Sequence, residues 1–311
     1  MPANTKPDSA NTAQPSDGLT MSRRTFRARD GVSLSVTIWT STPSGAPHIP
    51  FVCLPAIDRT ANEFQAFAAE ACGKRPATVL ALDGRGRGQS APGQFGYRKD
   101  CDDLLDMLTA LGVQQAHFVG SAYGGLVAMS LAADRPSAVR SLALVDSAPA
   151  IDATGLARLQ YFLRRYPSHP DRETLMERLT AHEAKQFEAA HPADFERLAD
   201  AAYAQKAGKK GPYWAPNLEP SYESRLKNLD LSEGLAPKWE LFDGLARVPM
   251  MIVQPENATM TSQRSFDEML RLRREGRAQT RHITLHGHGS TPIIAGKLAS
   301  AVAEFARSTD G

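Results

Sequence analysis

The chain has 311 residues, 42% of them hydrophobic, enough to bury one large core with an accessory segment or two modest domains. Its 36 basic and 34 acidic residues leave a formal net charge of +2 and are interspersed, so the sequence carries no electrostatic footprint for nucleic acid. Three irregularly spaced cysteines, Cys53, Cys72 and Cys101, exclude a disulfide framework and a cysteine zinc site, and no stretch approaches the ~20 apolar residues of a membrane span. This usage suits a reducing cytoplasm, which is the expected location.

Residues 1–22 are rich in Pro, Ser, Thr, Asn and Ala without an apolar run, and read as a disordered tail rather than a signal peptide. Residues 32–39 alternate, with Val32, Leu34, Val36 and Ile38 on one face, and predict a half-exposed edge strand. A short apolar strand at 51–54 ends at Pro55. A helix over 62–72, a strand over 78–82 and a Gly-rich loop over 83–88 follow. Leu104, Leu105, Leu108 and Leu111 lie at helical spacing, and Gly112 closes that helix. Next come a strand at 116–119, a tight turn at 120–125, a helix to about 134 and a strand at 141–145. Strands alternating with helices, each strand nearly all apolar, predict a parallel sheet covered on both faces.

The rhythm breaks at Pro149. Residues 153–229 show helical periodicity without a strand, which predicts an all-helical cap over the carboxyl edge of the sheet. Strand patterns resume at 250–253 and 282–285, and a closing helix spans 295–306. The predicted organisation is therefore an α/β core over 23–149 and 236–311, with a helical cap over 150–235. Arginines at 271, 273, 274, 277 and 281 read as a solvated helix face.

One turn carries most of the chemistry. Gly120-Ser121-Ala122-Tyr123-Gly124, followed by Gly125, joins a predicted strand directly to a predicted helix. That is the nucleophile-elbow pattern, in which flanking glycines let a sharp turn push its central residue out over the sheet. Together with the loop at 54–59, the Gly-rich loop at 82–90, and the segments at 144–149, 239–243 and 287–292, it makes residues 25–305 resemble bacterial α/β-hydrolases of the esterase, lactonase and C–C hydrolase type. The resemblance implies that the loop at Ala56-Ile57 supplies one oxyanion amide and Tyr123 the other.

The triad positions depart from that pattern. Ala122 stands where the nucleophile is expected, Thr259 at the acid and Ser290 at the histidine. A methyl group cannot attack a carbonyl, and without an imidazole no proton shuttle connects nucleophile and leaving group. Four neighbours are fallback candidates. Ser121 reads as a turn hydroxyl bonded to backbone, His288 as a loop imidazole, Asp146 as a carboxylate bonding amides at the cap entrance, and Glu256 as an exposed loop acid. Ile57, Tyr123, Ala122, Ser290 and Trp239 are the expected oxyanion or ligand contacts, while Trp214, Tyr213 and Tyr161 fit cap packing.

His286 and His288 lack a third ligand nearby in sequence, so no metal is expected. The loop at 83–88 lacks the Lys-Ser/Thr ending of a phosphate loop, and no nucleotide or other cofactor is expected. Three functions fit: a pseudo-hydrolase binding a small molecule in a capped pocket, an enzyme of non-serine chemistry (lyase, isomerase or hydratase) using the oxyanion amides, or a hydrolase whose serine was replaced deliberately. Three replacements in three distant segments favour natural loss of ester chemistry. Neither nucleic acid nor membrane is an expected partner.

Overall fold

The computed structural model describes residues 18–41, 48–183, 192–230, 237–258, 260–276, 278–286 and 292–310. Eight strands form one sheet: β1 (Leu19–Arg27), β2 (Ser33–Ser41), β3 (Phe51–Leu54), β4 (Thr78–Asp83), β5 (Ala116–Ser121), β6 (Val139–Val145), β9 (Met250–Pro255) and β10 (Thr280–Leu285). Their spatial order is β1-β2-β4-β3-β5-β6-β9-β10. The pairs β1/β2 and β2/β4 are antiparallel, and every other pair is parallel.

The central strands are apolar without interruption because both of their faces are covered. In β3, Val52 and Leu54 face one hydrophobic cluster and Phe51 and Cys53 the other. The first cluster takes Leu104 and Met107 of α2 (Tyr97–Ala110), the apolar residues of α3 (Tyr123–Asp134), and Phe266 and Met269 of α9 (Gln263–Glu275). The second takes Phe67 of α1 (Gln65–Lys74) and Phe305 of α10 (Gly296–Arg307). The mostly parallel sheet flanked by helices is the architecture expected from the sequence. All three cysteines are free.

Between β6 and the short α8 (Trp239–Asp243) lies an insertion. It contains α4 (Ala153–Arg165), α5 (Arg172–Glu183), α6 (Pro192–Ala202), β7 (Tyr203–Lys206), β8 (Tyr213–Pro216) and α7 (Pro220–Lys227). Asp152 caps α4 by accepting from the Thr154 amide. Glu219 caps α7 by accepting from the Ser221 and Tyr222 amides, with Pro220 pre-set for the first turn. The Thr60 hydroxyl donates to the Ala201 carbonyl at 2.9 Å, fastening α6 to the core.

Four expectations are corrected. Residues 19–22 belong to β1 rather than to a disordered tail. The strand is mostly polar, with only Leu19, Met21 and Phe26 packing inward, so its order depends on a partner that local pattern does not reveal. With β1 outside it, β2 is not the edge, and Ser35 and Thr37 are buried. The insertion is not all-helical, because β7 and β8 form an antiparallel ribbon turning near Gly208 and Gly211. Finally, Arg273 is buried, donating to the Leu245 and Val248 carbonyls at 2.7 and 2.8 Å, whereas Arg271 pairs on the surface with Glu268 and Glu275.

Candidate active site

The turn after β5 fixes the centre of the site. Ala122 has φ 45° and ψ −112°, a conformation that is unusual outside glycine. Its amide donates to the Val145 carbonyl at 2.9 Å, and its own carbonyl accepts from Ser147 Oγ at 2.7 Å. The flanking glycines are required by contact. A Cβ on Gly120 would lie 2.3 Å from Gly125 Cα, and one on Gly124 would lie 2.0 Å from the Leu54 carbonyl oxygen. The strand–turn–helix thus has the geometry that presents a nucleophile, with a methyl group at its apex.

Of the expected ligand contacts, Ile57 and Tyr123 line a common cavity, whereas Ala122 is not among its walls. Tyr123 begins α3 and Ile57 lies in the loop after β3, and both line a cavity of about 520 Å³ whose other walls include Leu156 and Tyr222 of the insertion. Among the described residues, no acceptor is recorded for the Ile57 or Tyr123 amide. Ile57 is held from its carbonyl side, which accepts from the Tyr222 hydroxyl at 2.9 Å.

Behind these residues lies a buried polar network. The Tyr123 hydroxyl donates to Asp100 Oδ2 at 2.6 Å, and Arg87 Nη2 lies 3.3 Å from Asp100 Oδ1. The Arg87 guanidinium also sits over the Tyr222 ring, 5.4 Å from its centroid. Burial, reinforced by the neighbouring Asp100 charge, pushes the Tyr123 hydroxyl well above its usual pKa, so it stays protonated and keeps donating. A second cluster ties the loop after β3 to the elbow. Glu63 Oε1 accepts from Ser121 Oγ at 2.7 Å and pairs with Arg59 at 2.8 Å, while Oε2 accepts from the Ala56 amide at 3.0 Å.

Ser121 is accordingly buried and bonded to a carboxylate rather than to backbone, which corrects the sequence expectation. Asp146, at the end of β6, is fully buried with φ 48°. Its amide donates to the Val253 carbonyl, and its carbonyl accepts from Thr261 Oγ1. Glu256 lies on the surface, its Oε1 3.3 Å from Nδ1 of the exposed His286. Trp239 packs edge-on against Phe242 and borders a surface depression with Arg264, not the 520 Å³ cavity. Tyr161 is exposed, and Trp214 lies under Arg172, so neither faces that cavity. Thr259, His288 and Ser290 lie outside the described residues.

Sequence reasoning missed Arg87, Asp100, Glu63 and Tyr222. Arg87 had a signal, since a basic residue inside a Gly-rich loop without the Lys-Ser/Thr ending of a phosphate loop needs an internal partner. The loop itself is structural: Asp83 accepts from the Ala61 and Gln89 amides, and a Cβ on Gly88 (φ 56°) would strike the Asp83 carboxylate. Among the described residues no group of His, Cys, Asp and Glu could hold a metal ion, and no helix is long and apolar enough to cross a membrane.

A mostly parallel eight-stranded sheet with a strained strand-to-helix turn at its centre and an insertion after β6 defines the α/β-hydrolase architecture. Residues 49–214 match the model of the alpha/beta hydrolase fold family, and the chain belongs to it. It is similar to a 3-hydroxybutyrate-oligomer hydrolase of Cupriavidus necator, 22% identical over 227 residues, which span 70% of this chain and 76% of that protein. It is also similar to a 3-oxoadipate enol-lactonase of Acinetobacter baylyi, 32% identical over 145 residues. That match spans 42% of this chain and about half (52%) of the relative. Among solved structures, an alpha/beta hydrolase from Novosphingobium aromaticivorans superposes with a TM-score of 0.78 at 21% identity, covering 93% of this chain and 98% of that one, a likeness of fold.

Proposed function

We propose that this chain is a member of the family that binds a small molecule beneath a cap formed by its insertion and has lost serine-hydrolase chemistry. Ala122 carries the reading, because the apex residue offers no lone pair to attack a carbonyl. The neighbouring hydroxyls do not replace it. Ser121 donates to buried Glu63, and Ser147 donates to the Ala122 carbonyl. Thr259 and Ser290, at the acid and histidine positions of the sequence, belong to the same loss, since a triad works as a unit. What remains is the pair of amides on Ile57 and Tyr123, suited to hold a carbonyl oxygen of the ligand. The names of the similar proteins, an oligomer hydrolase and an enol-lactonase, support a carbonyl compound as the ligand class.

A second reading, an enzyme of non-serine chemistry, draws on Asp146, a carboxylate buried at positive φ at the end of β6. Intact-mass analysis after exposure to a fluorophosphonate, with Ala122→Ser run beside the native chain, tests the proposal. Neither protein should gain the mass of the probe. Labelling of the native chain would overturn the loss of hydrolase chemistry, and labelling of the variant alone would support deliberate replacement of a serine.

A further inference from the structure

The 520 Å³ cavity has an uneven lining, and that unevenness bears on what it binds. Its inner wall is apolar, with Ile57, Leu156, Ile151 and Met260. Charge is confined to the rim, where α7 and the residues after it contribute Arg225 and Asp230. Such a cavity has the size and character of a small-molecule site, in which a few polar groups set orientation.

The rim residues differ in what they already do. Asn228 is engaged, its Nδ2 donating to the Ser224 carbonyl at 2.8 Å, and Asp230 also has an interaction of its own. Arg225 is exposed; its carbonyl accepts from the Asn228 amide at 3.1 Å, while among the described residues its guanidinium makes no hydrogen bond or ion pair. It is nonetheless positioned, because its guanidinium carbon lies 4.2 Å from the Phe95 ring centroid, and Phe95 packs on Tyr222 at 4.5 Å. Stacking covers one face of the guanidinium and leaves its planar edge of N–H donors for a partner.

We propose that Arg225 is the anion-recognition residue of this cavity and that the ligand is a small carboxylate with an apolar body. The carboxylate takes the edge of the Arg225 guanidinium, and the body fills the wall formed by Leu156, Ile151 and Met260. The proposal rests on the reading that this cavity binds a small molecule and adds the ligand's charge. An Arg–carboxylate pair in this geometry is bidentate and charge-assisted, which distinguishes it from the point charge of a lysine.

Isothermal titration of the intact protein with acid–amide pairs tests it. The pairs run from butyrate and butyramide to phenylbutyrate and phenylbutyramide, equal in shape and different in charge. The acid of at least one pair should bind about tenfold more tightly than its amide, or about 1.4 kcal/mol. Arg225→Gln should bring the acid down to the amide's affinity, while Arg225→Lys should keep part of the difference. Leu156→Trp, which fills the cavity, should weaken acid and amide alike and so locate both there. Equal affinity of acid and amide for the native protein overturns the role of Arg225 while leaving the cavity as the binding site. A preference that survives Arg225→Gln overturns it as well. Failure of every acid and amide to bind overturns the small-molecule reading together with this one.

Discussion

Ala122 holds a backbone conformation that glycine reaches freely and that an L-residue adopts only when its surroundings force it. In a hydrolase that strain serves to aim a nucleophile, whereas here it aims a methyl group. Ala122→Gly should therefore raise stability by about 1 kcal/mol, net of the extra chain entropy glycine brings to the unfolded state. Urea denaturation reads this as a higher midpoint with an unchanged slope, and a lower midpoint would mean that the methyl group packs better than the turn is strained. The residues of this turn were legible in the sequence because spacing alone defines them. Glu63 was not, because it joins Ala56 and Ser121, the latter 58 positions away, and no local pattern encodes a contact of that range.

At the scale of elements, α7 is fastened to the core by a contact at the site itself. The Tyr222 hydroxyl crosses 165 residues of sequence to reach the Ile57 carbonyl, and its ring lies beside the guanidinium of Arg87. Tyr222→Phe removes only the hydroxyl, at a cost of about 1 kcal/mol for the lost bond. Hydrogen exchange should then speed up over residues 220–227 and over the loop around Ile57, while the strands stay protected; unchanged exchange in both would mean that packing alone holds α7. The central strands were readable because burial on both faces leaves continuous apolar runs. By contrast, β1 and the β7–β8 ribbon escaped. Their order comes from strand partners: β1 is mostly polar, and β7 and β8 have four residues each, too few to show a period.

For the whole molecule, acid is the expected point of weakness. His117 is buried on β5, with Nδ1 2.8 Å from Ser141 Oγ and Nε2 3.0 Å from Asp310. Burial pulls its pKa down to about 4, and Arg140 and Arg307 add to this, outweighing the opposing pull of Asp310. His169, buried in the insertion near Arg178 and Asp171, is lowered in the same direction, first by burial. A lowered folded-state pKa means that the unfolded chain binds the proton first. The stability from neutral His117 is thus complete above its unfolded value near 6.5 and is lost as pH falls toward 4, by roughly 3 kcal/mol in all. Denaturation midpoints at descending pH should show this loss, and His117→Gln should flatten the curve. A slope unaffected by that substitution would move the effect to other groups.

The two outer strands have a consequence for how the molecule behaves among its own copies. An unpaired strand edge is a template for sheet growth from one molecule to the next. At one border β1 carries Arg23, Arg24 and Arg27, and at the other β10 carries Arg281, all exposed. Like charges would meet wherever two copies of the same border came together. The sheet therefore ends in positively charged margins that oppose self-templated aggregation at high concentration.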